Sequence, residues 1–271
     1  VINVNRKYKL GIVIAIIIIF AYLIIVPQSN TERIQIAGST SVQPVAEALA
    51  EKFQETHPNV KINVQGGGSS VGISSVSQGI TQIGTSSRAL TSEEKVGLTE
   101  YVIGKEGIVI AVNNNNNVSD LSKEQVRDVF SGEIKNWKDV GGSDLEIHVI
   151  TREEGSGTRS SFESLIMDGA KIRPDAVVQS STESVKQVVK GDPGAIGFVS
   201  LAHMSSDVKA LKVDGVAPSE ATVANKSYEI QTPFLFVIKG EPKGVVKEFI
   251  DFTLSPEGQA IVKSQNIVPI K

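Results

Sequence analysis

The residues best suited to chemistry form one short run, Thr151-Arg-Glu-Glu-Gly-Ser-Gly-Thr-Arg159. Arg152 offers a planar fork of N–H donors that fits phosphate-like oxyanions. Ser156 and Thr158 add hydroxyl donors, Gly155 and Gly157 let the backbone approach a ligand, and Glu154 is placed to hold the guanidinium. Alternating apolar residues over 146–150 predict a strand before the run, and the spacing of apolar residues over 159–166 predicts a helix after it. A helix start leaves its first N–H groups unpaired and carries about half a positive charge, so a strand–loop–helix of this kind attracts anions. The competing reading is an ordinary glycine-rich turn with a Ser/Thr helix cap.

Similar elements recur upstream. A short strand over 33–37 runs into Gly38-Ser-Thr-Ser-Val-Gln-Pro44, and apolar residues at 45, 49 and 53 predict a helix with Pro44 in its first turn. A strand over 60–64 leads to Gln65-Gly-Gly-Gly-Ser-Ser70 and a short helix over 71–77. A third strand over 80–84 leads to Thr85-Ser-Ser-Arg88, and Thr91-Ser-Glu-Glu94 reads as a capped helix start. Three β–loop–α units imply a parallel sheet with its loops at the carboxyl ends of the strands, where open α/β sheets bind ligands. Helix capping explains each Ser/Thr loop singly; together they line a cleft suited to a small desolvated oxyanion.

The rest of the chain supplies elements that position these loops. Residues 106–112 read as a buried strand, the asparagine run 113–117 as a hinge or lobe boundary, and 122–125 as a capping box. Trp137 reads as local packing. A helix over 182–189, a buried strand over 195–199, a weak strand over 208–213, a late strand over 233–238 and helices over 245–254 and 256–262 follow.

Composition narrows the class. The 271 residues include 40% apolar side chains, 24 glycines and no cysteine, which suits an α/β protein and excludes disulfides and thiolate metal sites. Arg6, Lys7 and Lys9 precede an apolar run over 10–26, long enough for an N-terminal membrane anchor with everything after Pro27 outside. An uncleaved anchor is favoured over a removed signal peptide, because no small-residue cleavage site follows. The first 30 residues hold three of the 27 basic side chains and none of the 30 acidic ones, leaving a formal charge of −6 on the remainder. That balance argues against nucleic acid. No enzyme is expected: His57, His148 and His203 are scattered, Ser156 has no base beside it, no phosphate-loop lysine motif occurs, and Asp120, Asp128, Asp139 and Asp144 lack metal-loop spacing. Neither a cofactor nor a metal is implied. Asn117 and Asn225 open glycosylation sequons.

Gly38-Ser-Thr-Ser-Val-Gln-Pro44, Gln65-Gly-Gly-Gly-Ser-Ser70, Ile83-Gly-Thr-Ser-Ser-Arg88, Arg152-Glu-Glu-Gly-Ser-Gly-Thr158 and Pro193-Gly-Ala-Ile-Gly-Phe198 stand in one order. In this the chain, over 33–271, resembles the phosphate-binding proteins of ABC-type phosphate uptake. The resemblance implies a type II periplasmic-binding-protein fold. Two lobes, each a mixed sheet flanked by helices, would close over one phosphate: 32–112 plus 228–271 as lobe I and 113–227 as lobe II, after an anchor and tether over 1–31. It implies inorganic phosphate as ligand, an ABC permease as partner, a monomer, and an extracytoplasmic location, tethered or, if cleaved, released. By the same resemblance Thr40, Ser41, Ser69, Ser87, Arg152, Ser156, Gly157 and Thr158 bind phosphate, with Ser39, Ser70 and Arg88 in support and Glu154 bracing Arg152. Ser87 departs from members with an aspartate there, which leaves sulfate or molybdate open as ligand; Arg88 either adds charge to the cleft or braces a loop. A membrane-anchored sensor or a phosphatase-like protein is the alternative class.

Overall fold

The computed structural model describes residues 31–270; the apolar run over 10–26 lies outside the described residues. Among the described residues no helix is long and apolar enough to cross a membrane. The first half runs β1 (Glu32–Gly38), α1 (Gln43–Thr56), β2 (Val60–Gly66), α2 (Ser69–Ser77), β3 (Ile83–Ser86), β4 (Leu98–Val112), β5 (Asp120–Leu121) and α3 (Lys123–Ser131). Then come β6 (His148–Arg152), α4 (Gly157–Phe162), β7 (Val177–Gln179), α5 (Thr182–Gly191), β8 (Ala195–Ser200), β9 (Lys209–Ala210), β10 (Lys212–Val213), α6 (Glu220–Ala224), β11 (Gln231–Lys239), α7 (Gly244–Leu254) and α8 (Pro256–Ser264). The result is a mixed α/β fold.

One strand ties it together. The main sheet runs β2-β1-β3-β11-β4-β8-β6-β7, with β9 also on β4. Residues 98–107 of β4 pair with β11, and residues 108–112 pair with β8. β4 serves both halves: it passes from β11 to β8 just beyond Lys105, Glu106 and Gly107, and its apolar residues lie on either side of that point. Two main cores lie along it. One is built on Ile34, Ile36, Leu49, Phe53, Phe236 and Phe249, the other on Val109, Ile110, Phe130, Phe162, Val185 and Phe198. The change of partner precedes the asparagine run. Asn113 is buried and gives its amide to the carbonyls of Val189 and Lys190 at the end of α5, so that residue is a helix anchor.

Two local expectations fail. Thr91 and Glu94 do exchange backbone-to-side-chain bonds like a capping pair, yet residues 92–97 form turns and no helix. Glu94 is held by Arg88 instead, and Gly97, at φ 73°, turns the chain directly into β4. The weak strand over 208–213 breaks into β9 on the main sheet and β10 beside β5, so its ends serve different neighbours.

Packing also fixes the loops. Gly72 in α2 lies so close to the ends of β1 and β3 that a Cβ would stand 2.6 Å from the Ala37 carbonyl and 2.7 Å from that of Thr85. This contact presses Ser69, the first residue of α2, into the interior. On the other side Phe162, the last residue of α4, stacks on Phe198 at 4.4 Å and leans on Phe130 at 4.6 Å. Burying such a ring is worth about 1.5–3 kcal/mol, and here it holds a helix start in place.

Candidate anion-binding site

The loops that follow β1, β3 and β6 converge. Ser41 Oγ lies 2.8 Å from Thr158 Oγ1 and 2.9 Å from Thr182 Oγ1. Ser39 donates to Ser87 Oγ at 3.0 Å, and the Ser87 N–H donates to Ser69 Oγ at 3.1 Å. Ser87 Oγ is in turn 3.4 Å from Thr158 Oγ1. Thr40 Oγ1 accepts from the Thr182 N–H at 3.3 Å. Ser39, Ser41, Ser69, Ser87, Thr158 and Thr182 are buried, so a ring of hydroxyls from both cores is closed off from water.

Arg152 is the cation of this ring and is 2% exposed. Its Nε and Nη2 donate to the two carboxylate oxygens of Glu153, each at 2.8 Å, while Nη1 donates to Thr182 Oγ1 at 3.0 Å. The bracing acid is thus Glu153 and not Glu154. Residues 154–155 form the tip of a turn closed by the Ser156 N–H on the Glu153 carbonyl, and that tip carries Glu154 out to solvent. Glu153 stays behind beside the guanidinium. A bidentate pair of this kind orients the fork and offsets its burial.

Ser156 caps α4 by accepting from the Arg159 N–H at 3.3 Å. Gly157 follows, and a Cβ there would lie 2.2 Å from Ser69 Oγ and 2.7 Å from Ser87 Oγ, so only glycine permits the two loops to touch. Arg88 resolves as a loop brace: its Nη1 and Nη2 bond the two oxygens of Glu94 at 2.7 Å each, and Nη2 also reaches Ser70 Oγ at 3.3 Å. That pairing holds the Glu94 carboxyl below its usual range. Ser70 itself gives its N–H to the Gly155 carbonyl. A groove of about 600 Å³, lined by Ser70, Arg88, Glu154, Ser156 and Arg159 among others, opens beside the ring.

The histidines stay out of this ring. His57 stacks on Phe53, His148 Nδ1 meets Asp192 at 2.7 Å, and burial pushes His203 down to about 4. Trp137 is a packing residue, buried with its Nε1–H on the Gly194 carbonyl. The residue the sequence reading missed is Thr182. Its signal was present as another strand-to-Ser/Thr-to-helix junction, Ser180-Ser-Thr182 after β7, but none of the five motifs contains it.

Comparison with known proteins agrees with this geometry. The PBP superfamily domain matches residues 26–257. The phosphate-binding protein PstS of Bacillus subtilis is 39% identical over 242 residues, covering 87% of this chain and 80% of that protein. PstS of Borreliella burgdorferi is 31% identical, covering 90% of this chain and 92% of its own length. Among solved structures, an ABC transporter substrate-binding protein from Clostridium perfringens with bound phosphate matches with a TM-score of 0.86 at 41% identity, over 89% of this chain and all of the other. An ABC-type phosphate transport receptor from Vibrio cholerae matches with a TM-score of 0.73 at 36% identity, over 87% and 99% of the two chains. With the domain matched over most of its length and relatives at 31–39% identity covering it almost throughout, the chain belongs to the PBP superfamily and, within it, to the family of the phosphate-binding proteins PstS.

Proposed function

We propose that this protein is an extracytoplasmic receptor that binds inorganic phosphate and delivers it to an ABC permease. The observation that carries the reading is Arg152: a buried guanidinium, two nitrogens fixed by Glu153, with its third nitrogen turned into a ring of hydroxyls. Such donors, preorganised away from water, favour an anion far more than the same groups would in solution. An oxyanion seated there exchanges hydroxyl–hydroxyl contacts for charge-assisted ones, to Thr40, Ser41, Ser69 and Ser87 from one side and Arg152, Ser156, Gly157 and Thr158 from the other.

The chain then works as a clamp of two lobes, 32–112 plus 228–271 and 113–227, with the end of β4 over 108–112 packed into the core of the second. β4 and β11 join them, and the ligand stabilises the closed arrangement. The apolar run over 10–26 holds the receptor, as a monomer, at the outer face of the membrane. The relatives at 39% and 41% identity are a phosphate-binding protein and a transporter's substrate-binding protein, which supports binding and transport over catalysis.

A second reading has a specific observation behind it. Among the described residues no carboxylate hydrogen-bonds a hydroxyl of the ring; Glu153 is engaged with Arg152 alone. Without a buried carboxylate to repel an anion that has no proton to give, the site accepts sulfate more readily. Calorimetric titration of the purified, anion-stripped protein with phosphate and then sulfate tests both. Tight one-to-one phosphate binding with sulfate silent is the expected result. Equal binding of both makes this a general oxyanion receptor, and silence from both overturns the reading.

A further inference from the structure

Resting on the oxyanion-receptor reading, we infer that Thr182 is a further ligand-contacting residue, whose hydroxyl hands the positive charge of Arg152 on to the bound anion. Arg152 has three nitrogens, and Glu153 engages two of them. The remaining one, Nη1, bonds Thr182 Oγ1, so the guanidinium meets the ring through Thr182. A hydroxyl has one O–H and two lone pairs. With one lone pair taken by Nη1, the O–H of Thr182 remains free to donate inward. Ser41 Oγ at 2.9 Å and Thr40 Oγ1 at 3.4 Å mark that direction, and both belong to the loop proposed to grip the ligand.

Polarisation sets the chemistry. A hydroxyl that accepts from a cation becomes a stronger donor and a poorer acceptor. Thr182 therefore favours an unprotonated anion oxygen over an O–H, which suits a doubly charged tetrahedral oxyanion. The residue is also well held. It opens the ten-residue helix α5, whose positive end backs the same point. Val185 and Val189 bury the helix in its core, and Asn113 ties down its far end. A donor whose position is fixed before binding costs little ordering entropy when the ligand arrives.

The test is phosphate titration at pH 8 of the full chain and three variants. Thr182→Val keeps the shape and removes the hydroxyl, and it is expected to weaken phosphate binding about 10–30-fold, the cost of one charge-assisted hydrogen bond. Thr182→Ala is expected to match it, and Thr182→Ser, which keeps the hydroxyl on Arg152, to stay within about threefold of wild type. Thr182→Val binding within about twofold of wild type overturns the assignment, as does a loss that Ser fails to restore. In both cases wild-type binding would leave the receptor reading standing. A wild-type chain that binds neither phosphate nor sulfate overturns the receptor reading, and this assignment with it.

Discussion

Two arginines stand at loops bordering the same site, and they do opposite things. Arg88 lies two residues beyond β3 and Arg152 ends β6, and each grips both oxygens of a glutamate with two nitrogens of its guanidinium. The same two nitrogens of Arg88 also bond its own surroundings, the Ala89 carbonyl and Ser70 Oγ. Arg152 keeps one nitrogen for a ring of hydroxyls assembled from distant parts of the chain. The geometry of the partner makes the difference. Glu94 takes Nη1 and Nη2 of Arg88, the end that would otherwise reach outward, whereas Glu153 takes Nε and Nη2 of Arg152 and leaves Nη1 projecting. Arg152 thus presents a charge, while Arg88 fastens a turn.

Substitutions separate the two regions. Arg152→Ala removes the buried cation and is expected to cost about 2–5 kcal/mol of phosphate affinity, at least about 30-fold by titration calorimetry, with the fold retained. Affinity unchanged by that substitution would remove Arg152 from the site and erase the contrast. Gly157→Ala comes next: its methyl collides with Ser69 and Ser87, keeps the two loops apart and should lower affinity about tenfold. Glu153→Gln loosens the fork and should cost about 1–2 kcal/mol of affinity, while Glu154→Gln at the exposed turn tip should be silent. If Glu154 proved the sensitive position, the assignment of the brace would reverse.

Arg88→Ala should change binding by no more than about threefold, and its cost of about 1 kcal/mol falls on stability instead. Its pH dependence has a definite sign. Glu94 has a folded-state pKa below its unfolded one, mainly because Arg88 hydrogen-bonds the carboxylate. The pair's stabilisation is therefore present above the unfolded carboxyl value and lost as pH falls through the folded one. Thermal melts of wild type and Arg88→Ala should differ at neutral pH and converge in acid. A gap that persists in acid would mean Arg88 acts through packing.

Glu106 shows the reverse sign. It is fully buried on β4, next to the point where that strand changes partners, and among the described residues only Ser200 hydrogen-bonds its carboxyl, so burial raises its pKa well above the usual value. An acid with a raised folded pKa loses stability as pH climbs above the unfolded value. Glu106→Gln should therefore gain thermal stability relative to wild type as pH rises above the ordinary carboxyl range, and little in acid; equal melts at every pH would show the carboxyl is not kept protonated.

How far the sequence could be read follows from how local each feature is. Loop chemistry is local: a strand ending in Gly-Ser-Thr before a helix predicts where hydroxyls and free N–H groups will lie, and Ser39, Ser41, Ser69, Ser87 and Thr158 do stand in one ring. Periodicity gave α1 and α3, since an apolar stripe at helical spacing has one economical burial. Other features depended on neighbours far along the chain. Whether Thr91 to Glu94 would open a helix turned on Arg88 capturing Glu94. Glu153 and Glu154 are adjacent and chemically identical, and only the path of the turn decides which one faces the guanidinium. Thr182 meets Thr40 across 142 residues, a contact that no local pattern encodes. The amino-acid sequence alone therefore determined most of the elements, the loops that carry donors and the class of ligand they suit. Tertiary structure decided which donors share one buried point, because that choice is set by the order in which distant strands lie side by side in the sheet.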